Sequence, residues 1–247
     1  MTWLCAHGVA QRLQDDERAF HLEVAALTLG PGSRKAIVGP SGSGKTTAMD
    51  LLALASRPYR ADSFLLIEAD GAAVDLAGMH DGHGDRAAAV RARKFGYALQ
   101  AGVLLPFLTI GENLLLAQQL AGVDDRAFAR ELLAEFGVPA PFSTMPSALS
   151  VGQRQRVAIA RALAHKPSFL FADEPTASLD PEAARRTLGT CLDILMSRDA
   201  AALIITHDID LARDLDFEIV PVTPHSEDGL VSAVIDDCSP PPGMEAQ

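Results

Sequence analysis

Residues 39–46 constrain the fold of this chain more than any other segment. They read GPSGSGKT and fill every fixed position of the pattern G-x-x-x-x-G-K-[ST]. A short apolar run at 35–38 precedes them and an apolar-rich segment at 47–54 follows, which predicts a buried strand, a glycine-rich loop and a helix. A strand that enters a helix through such a loop is typical of an α/β fold with a mainly parallel sheet.

The composition of this loop predicts a phosphate-binding site. Its glycines let backbone N–H groups turn toward phosphates, and the positive dipole end of the following helix favours the same negative charge. In this pattern Lys45 reaches the β- and γ-phosphates of a nucleotide, and the hydroxyl of Thr46 ligates Mg²⁺. The alternative is a glycine-rich turn that only joins strand to helix. The candidate nucleotide-binding residues are Gly39, Pro40, Ser41, Gly42, Ser43, Gly44, Lys45, Thr46 and Thr47.

Composition narrows the class of protein further. With 247 residues, 48% of them hydrophobic, the chain can bury a full core in one large domain or one domain with a lobe. No run approaches the ~20 apolar residues of a membrane span, and the N-terminus lacks a signal-peptide pattern, so we expect a cytosolic protein. A net charge of -11 disfavours binding to nucleic acid. Cys5, Cys191 and Cys238 show no C-x-x-C spacing and are expected to be inert thiols.

Several apolar runs predict strands that carry polar residues at their ends. Alternation at 22–29 and the run at 64–67 indicate an antiparallel β part near the N-terminus. Continuous apolar runs at 169–172 and 203–205 are typical of strands buried on both faces of a parallel sheet. Asp173-Glu174 follows the first and Thr206-His207 the second. Because ligands bind at the carboxyl ends of strands in an open α/β sheet, we expect these residues and the glycine-rich loop to serve one nucleotide.

The pattern changes to helices separated by Gly and Pro between about 104 and 146. Helical segments begin near 111 and span about 125–133, which predicts a helical lobe inserted into the α/β core. We expect the core with its β part at 1–100 and 151–236, and the helical subdomain at 101–150. The proline-rich end, 237–247, is expected to be disordered.

Asp173 and Glu174 suggest hydrolytic chemistry. A carboxylate at the end of a buried strand is costly unless a cation such as nucleotide-bound Mg²⁺ compensates its charge, and Asp173 is placed for that role. Adjacent residues at a strand end point in different directions, so Glu174 can accept a proton from an attacking water. The alternative is a helix N-cap cluster before Pro175.

His207 and Gln100 are candidates of a weaker kind. His207 at the end of a buried strand can contact the γ-phosphate or the attacking water, although a lone histidine often has only a structural hydrogen bond. The amide of Gln100 can ligate the metal and move with the helical lobe, although by itself it is an ordinary surface glutamine. The segment 78–85 contains H-x-x-H beside carboxylates, and a solvated loop is favoured there over a metal site.

The order and spacing of these motifs, together with the sequence LSVGQ at 149–153, resemble the ATP-binding cassette (ABC) proteins. Residues 39–46 resemble the Walker A motif, and 169–173 resemble Walker B with Glu174 as its catalytic carboxylate. Gln100 is similar to the Q-loop glutamine and His207 to the switch histidine. Residues 149–153 resemble the signature motif, and Ser178-Leu179-Asp180 the D-loop. The resemblance runs from about residue 20 to residue 213 and implies a P-loop NTPase core that binds ATP and Mg²⁺, with Thr46, Gln100 and Asp173 as metal ligands.

The resemblance also implies a head-to-tail dimer. ATP held by Lys45 of one subunit would be capped by residues of the other subunit that open the signature helix, because a helix N-terminus favours a γ-phosphate. The capping candidates are Ser150 and Gly152, and Gln153 and Asp180 are further candidate nucleotide-binding residues. Val151 occupies a position where the family usually has Gly, which is tolerated if its side chain points away from phosphate. The aromatic residue that commonly stacks on adenine is not evident at 12–18, and Phe20 is the nearest.

Two functions are compatible with these motifs. The first is the ATP-hydrolysing subunit of an ABC transporter, most like the lipoprotein-release and macrolide-export group, acting as a homodimer or with a paired ABC subunit. It would bind separate membrane-spanning permease subunits at the inner face of the membrane, and residues 103–107 would form part of their docking groove, unless those residues pack inside the lobe. The alternative is an ABC ATPase outside transport, in cell-division mechanotransmission or on DNA or ribosomes. The absence of sustained heptads and of a second cassette disfavours DNA and ribosomes.

Overall fold

The computed structural model describes residues 1–14, 19–80, 85–100, 102–227 and 230–237. Its strands are β1 (Trp3–Gln14), β2 (Ala19–Leu29), β3 (Arg34–Val38), β4 (Ser63–Ile67), β5 (Ala73–Asp75), β6 (Phe95–Ala98), β7 (Phe169–Asp173), β8 (Ala201–Ile205), β9 (Glu218–Glu227) and β10 (Leu230–Asp236). Its α-helices are α1 (Lys45–Leu52), α2 (Asp85–Lys94), α3 (Ile110–Ala121), α4 (Arg126–Glu135), α5 (Val151–Leu163), α6 (Pro181–Met196) and α7 (Ile209–Asp214). The described chain forms two compact units, 1–88 with 207–247 and 89–206.

In the first unit, the described residues form seven strands of a mixed sheet in the order β5-β4-β1-β2-β10-β9-β3. The N-terminal strands β1, β2, β4 and β5 pair antiparallel. The C-terminal strands β9 and β10 pair antiparallel with each other. Each also pairs with an earlier strand: β10 lies parallel to β2, and β9 lies parallel to β3. The strand that leads into the glycine-rich loop therefore pairs with a segment about 180 residues later in the chain.

The second unit contains the parallel strands β6, β7 and β8, in the order β8-β7-β6. Every residue of β7 and β8 is buried, as their continuous apolar sequences predict. Phe95 makes edge-to-face contacts with Phe169 and Phe171, at centroid distances of 5.8 and 5.1 Å. The three carboxyl ends of these strands therefore lie on one edge of a tightly packed layer.

Local capping explains where the helices of the second unit begin. Thr109 and Glu112 form a capping box at the start of α3, and the Asp125 side chain accepts from the Phe128 N–H at the start of α4. The left-handed Gly122 ends α3. No helix among the described residues is long and apolar enough to cross a membrane.

The predicted fold class is confirmed: the chain is an α/β P-loop protein with an antiparallel N-terminal β part and additional helices. The division into a core and a helical subdomain stays a prediction. The predicted disordered end lies outside the described residues except for its first residue, Asp237, which is buried. His83 of the H-x-x-H segment also lies outside them, and a short 3₁₀ helix occupies Ala77–His80 before it.

Candidate nucleotide site

The glycine-rich loop connects the buried strand β3 to the first turn of α1. Gly42 and Gly44 have φ angles of +75° and +88°, in the left-handed region that side chains with a Cβ atom disfavour. Gly44 is the N-cap of α1, so the helix begins at Lys45 without a side-chain cap. The amino end of the helix is therefore accessible to an anion through backbone N–H groups.

Lys45 places its ammonium group inside this loop. Its Nζ donates hydrogen bonds to the carbonyl oxygens of Gly39, at 2.9 Å, and of Pro40, at 2.7 Å, and the side chain is buried. Within the described residues, the buried hydroxyl of Ser43 has no hydrogen-bond partner. A buried cation and a buried unsatisfied hydroxyl in a left-handed loop fit the phosphate groups of a nucleotide.

An aromatic side chain lies directly against this loop. A Cβ atom added at Gly44 would lie 2.6 Å from Cζ of Phe20, which belongs to β2. The close contact of the ring with the loop gives Gly44 a second reason to be glycine. Residues 15–18 of the segment searched for a stacking aromatic lie outside the described residues, and the base-binding residue stays a prediction.

In the second unit, polar residues follow the carboxyl ends of the parallel strands. Gln100 comes after β6, and Thr206 comes directly after β8. Asp173 ends β7 and is buried, and Glu174 follows it with a φ angle of +48°, also buried. The alternative that this acidic pair caps a helix is wrong, because the next helix begins at Pro181 and its N-cap is Asp180.

The left-handed backbone of Glu174 is held by hydrogen bonds at both of its polar groups. Its N–H donates to the carbonyl oxygen of Ile205 at 3.0 Å, and its carbonyl oxygen accepts from the Ala177 N–H at 3.2 Å. A non-glycine residue costs roughly 1–3 kcal/mol in such a conformation, and it persists only where the surrounding structure holds it. This geometry agrees with Glu174 as a functional carboxylate.

The signature residues form the beginning of α5. Ser150 is its N-cap: the hydroxyl accepts from the Gln153 N–H at 3.2 Å, and the Gln153 side chain accepts from the Ser150 N–H at 2.9 Å. Val151 is 56% exposed, so its side chain points to solvent. A Cβ atom added at Gly152 would lie 2.9 Å from Cδ2 of Leu179 in the predicted D-loop. The signature helix and the D-loop therefore touch within one chain.

The segment after Gln100 has two kinds of apolar residue. Leu104 is buried, as the lobe-packing alternative requires, whereas Leu99, Val103 and Phe107 are exposed, with Phe107 at 72%. Three exposed apolar side chains so close in sequence agree with a docking surface better than with internal packing.

The predicted site residues are thus divided between the two units. Gly39 to Thr47 and His207 belong to the first unit, and the other predicted site residues belong to the second. The described residues contain no cluster of three or more His, Cys, Asp or Glu side chains that could hold a metal ion. The oxygen donors of Thr46, Gln100 and Asp173 are nevertheless of the kind that Mg²⁺ accepts together with phosphate oxygens and water.

One residue of this region was not predicted from the sequence to have a role. Gln155, in the second turn of α5, donates from Nε2 to the carbonyl oxygen of Glu174 and accepts from the N–H and hydroxyl of Ser178. The only signal for it was a polar residue on the apolar face of a strong helix-forming segment.

In this α/β fold a glycine-rich loop joins a buried strand to a helix, and its carbonyl oxygens accept hydrogen bonds from a buried lysine. This combination is typical of phosphate-loop nucleotide-binding proteins. The family model described as ABC transporter matches residues 22–177. The chain therefore belongs to the ABC transporter family, and it is an ATP-binding cassette.

Two relatives and one solved structure show how far the similarity extends. The lipoprotein-releasing system ATP-binding protein LolD 1 of Rhodospirillum rubrum is 39% identical over 197 residues, 78% of this chain and 82% of that protein. LolD of Cereibacter sphaeroides is 40% identical over 200 residues, 79% of this chain and 84% of that protein. The dimeric post-hydrolysis structure of the ATP-binding cassette MJ0796 bound to ADP and Pi is 28% identical, with a TM-score of 0.76, covering 92% of this chain and 96% of that one.

Proposed function

We propose that this protein is the Mg²⁺-dependent, ATP-hydrolysing subunit of an ABC transporter. Two copies, or one copy and a paired ABC subunit, bind two ATP molecules head to tail and drive separate membrane-spanning permease subunits. The observation that carries the proposal is the loop around Lys45, because a buried ammonium held by loop carbonyls has phosphate as its natural counter-ion. The names of the relatives support the transporter role.

Binding of ATP is assigned to residues 39–47. Lys45 exchanges its two carbonyl partners for β- and γ-phosphate oxygens, so the cost of removing its charge from water is already met in the folded loop. The hydroxyl of Ser43 donates to a phosphate oxygen, which satisfies a buried group. The amino end of α1 adds N–H donors at Thr46 and Thr47.

Mg²⁺ is assigned to Thr46, Gln100 and Asp173. When bound, the ion neutralises phosphate charge and polarises the γ-phosphoryl group. A charge of this sign also compensates the buried carboxylate of Asp173.

Hydrolysis is assigned to Glu174 and His207. Glu174 orients the attacking water and accepts its proton, a role worth about 10²- to 10⁴-fold in rate. Its backbone bonds to Ile205 and Ala177 fix the direction in which the carboxylate leaves the strand end. His207 donates a hydrogen bond to the γ-phosphate or the attacking water.

The second subunit completes each site. Ser150 and Gly152 of the partner subunit cap the γ-phosphate, and the capping box holds Ser150 at the amino end of α5, where the helix dipole favours the anion. Gln153 and Asp180 are assigned to nucleotide binding as well. After hydrolysis the bridging charge is divided between products and the dimer opens. The dimeric structure of MJ0796 supports this arrangement.

The exposed residues Leu99, Val103 and Phe107 are assigned to the permease interface. Their position beside Gln100 connects movement of the partner to the nucleotide site. In this role the protein is peripheral on the inner face of the membrane, and the relatives point to lipoprotein release as the class of transport.

Steady-state hydrolysis tests the catalytic assignments. The purified chain should hydrolyse ATP, and EDTA should abolish the activity. Glu174→Gln should retain ATP binding and lose at least about 100-fold in rate, in keeping with loss of a general base. Lys45→Ala should weaken nucleotide binding itself. Unchanged affinity in Lys45→Ala, or an unchanged rate in Glu174→Gln, would remove that residue from its role.

Affinity capture from detergent-solubilised membranes of the source cells tests the partner. The wild-type chain should recover a polytopic membrane protein, and the double variant Val103→Asp/Phe107→Asp should lose it. Leu120→Asp is the matched control, because Leu120 is also exposed and apolar but lies on α3. Recovery of nucleic acid or ribosomes alone would contradict the transporter role and favour a soluble ABC ATPase.

A further inference from the structure

Gln155 is a buried polar side chain that hydrogen-bonds through both ends of its amide beside the candidate catalytic residue Glu174. It is only 2% exposed, and its amide Nε2 donates to the carbonyl oxygen of Glu174 at 3.1 Å. Its Oε1 accepts from the Ser178 N–H at 3.3 Å and from the Ser178 hydroxyl. A buried amide is costly unless both ends are bonded, so its presence in an apolar helix face is explained by these partners.

The first partner of Gln155 is the strained residue. Glu174 has left-handed backbone angles, and its carbonyl oxygen is where Gln155 attaches. A hydrogen bond at this oxygen restricts rotation of the peptide unit that follows Glu174. Gln155 therefore helps to hold the backbone that directs the Glu174 carboxylate.

The second partner belongs to the predicted D-loop. Ser178 binds Gln155 through both its backbone and its side chain, and the neighbouring Leu179 packs against Gly152. The D-loop is thus attached to α5 at two points, one on the first turn and one on the second.

The loop after Gln100 meets α5 at the same place. Gly102 has a φ angle of +57°, and a Cβ atom added there would lie 2.9 Å from Cα and 3.1 Å from N of Gln155. The backbone of this loop therefore packs directly against the helix backbone at Gln155.

We propose that Gln155 is a positioning residue that couples the two ATP sites of the dimer. This inference rests on the proposed function of a head-to-tail dimer. In that dimer the amino end of α5 binds the ATP held by the partner subunit, whereas Glu174 acts on the ATP held by its own subunit. Gln155 joins these elements inside one chain, so closure of α5 on the partner's ATP sets the backbone of Glu174 for hydrolysis of the other.

The test compares Gln155→Met with Gln118→Met. Both glutamines are buried in the second unit, and Gln118, at 1% exposed, likewise bridges backbone groups, those of Asp125 and Ala164. Removing either amide deletes hydrogen bonds to backbone groups, of which the Glu174 and Asp125 carbonyl oxygens each keep one backbone N–H donor, so loss of thermal stability should be comparable. The two glutamines differ in their partners, because Gln155 contacts Glu174 and the D-loop whereas Gln118 hydrogen-bonds to Asp125 and Ala164.

We expect Gln155→Met to retain ATP affinity, to lose about 100-fold in kcat, as misplacement of a catalytic group does, and to lower the Hill coefficient for ATP hydrolysis to about 1. Gln118→Met should keep kcat and the Hill coefficient within about twofold. Equal loss of kcat in both variants, or unchanged kcat and Hill coefficient in Gln155→Met, would overturn the coupling role.

Two further measurements keep the test decisive. Ser178→Ala removes one hydroxyl from an exposed residue and leaves the helix intact, and it should lower both kcat and the Hill coefficient; unchanged values would count against the proposal even if Gln155→Met does not fold. Measurements on the wild-type chain distinguish failure of the proposed function from failure of the coupling. Absence of ATP hydrolysis would contradict the proposed function, whereas hydrolysis with a Hill coefficient of 1 would contradict only the coupling.

Discussion

A buried ion pair between β3 and the end of β10 in the first unit leads to a quantitative prediction. Lys35 on β3 and Asp237 after β10 are 4% and 5% exposed, and the Lys35 ammonium contacts the Asp237 carboxylate. Asp237 also accepts from the Thr28 N–H at 3.3 Å. The pair joins the last described residue to the strand that leads into the phosphate loop.

Asp237→Ala would leave the Lys35 charge buried with a weaker partner. Breaking a buried pair on one side costs about 3–5 kcal/mol. Glu218 lies 3.2 Å from the Lys35 Nζ but is half exposed, so it compensates only in part. We therefore expect a loss near the lower limit, about 3 kcal/mol, which for a chain of this size corresponds to a melting temperature about 6–12 °C lower.

Differential scanning calorimetry measures this shift, and a neighbouring pair supplies the control. Asp216 pairs with Arg34 at 3.9 Å but its side chain is 90% exposed, so Asp216→Asn should change stability by less than about 0.5 kcal/mol. Asp237→Asn keeps an oxygen acceptor and should fall between the two. If Asp237→Ala lowered the melting temperature no more than Asp216→Asn does, the pair would not stabilise the fold.

Three other properties follow from the structure. Gly102→Ala forces a left-handed alanine against the α5 backbone, so ATPase activity should fall while ATP affinity persists, and unaltered activity would refute the packing role. Burial lowers the pKa of His165 below 6.5 despite its bond to the Phe95 carbonyl, so its contribution to stability is complete above pH 6.5 and lost as pH falls through the folded pKa. The melting temperature of wild type should therefore fall more steeply from pH 7.5 to 5.5 than that of His165→Asn. Burial raises the pKa of Cys191 to about 12, so Cys191→Ser should not change native-state labelling by a thiol reagent at pH 8, whereas a decrease would show that Cys191 reacts.

The parts of the fold predicted from sequence were those with local causes. The loop before α1 depends on glycines at fixed spacing, and α5 begins where Ser150 and Gln153 form a capping box, both readable from a few consecutive residues. The buried strands β7 and β8 were evident because both faces are apolar.

Two of the missed elements depend on a distant partner: β9 and β10 were not predicted, because β10 is placed by its parallel pairing with β2, about 210 residues earlier. β1 was also missed, although it pairs with β2, the next strand in the chain. Asp237 was assigned to a disordered end on composition, and the composition gives no sign that its carboxylate contacts the ammonium of Lys35, about 200 residues earlier.

The candidate site shows the same division. Motif chemistry predicts roles for Asp173, Glu174 and Ser150, and the alternative of an acidic helix cap failed because no helix in the described part of the chain starts near Pro175. Gln155 could not be assigned, because its partners lie 19 and 23 residues away and meet it only through tertiary packing.

The most direct test of the central claim is the mass of Glu174→Gln with saturating Mg-ATP, measured by light scattering. A head-to-tail dimer predicts twice the 26.1 kDa of one chain with ATP, the single-chain mass without nucleotide, and the single-chain mass for Lys45→Ala/Glu174→Gln under both conditions. A Glu174→Gln chain that binds ATP and keeps the mass of one chain would contradict the shared nucleotide site.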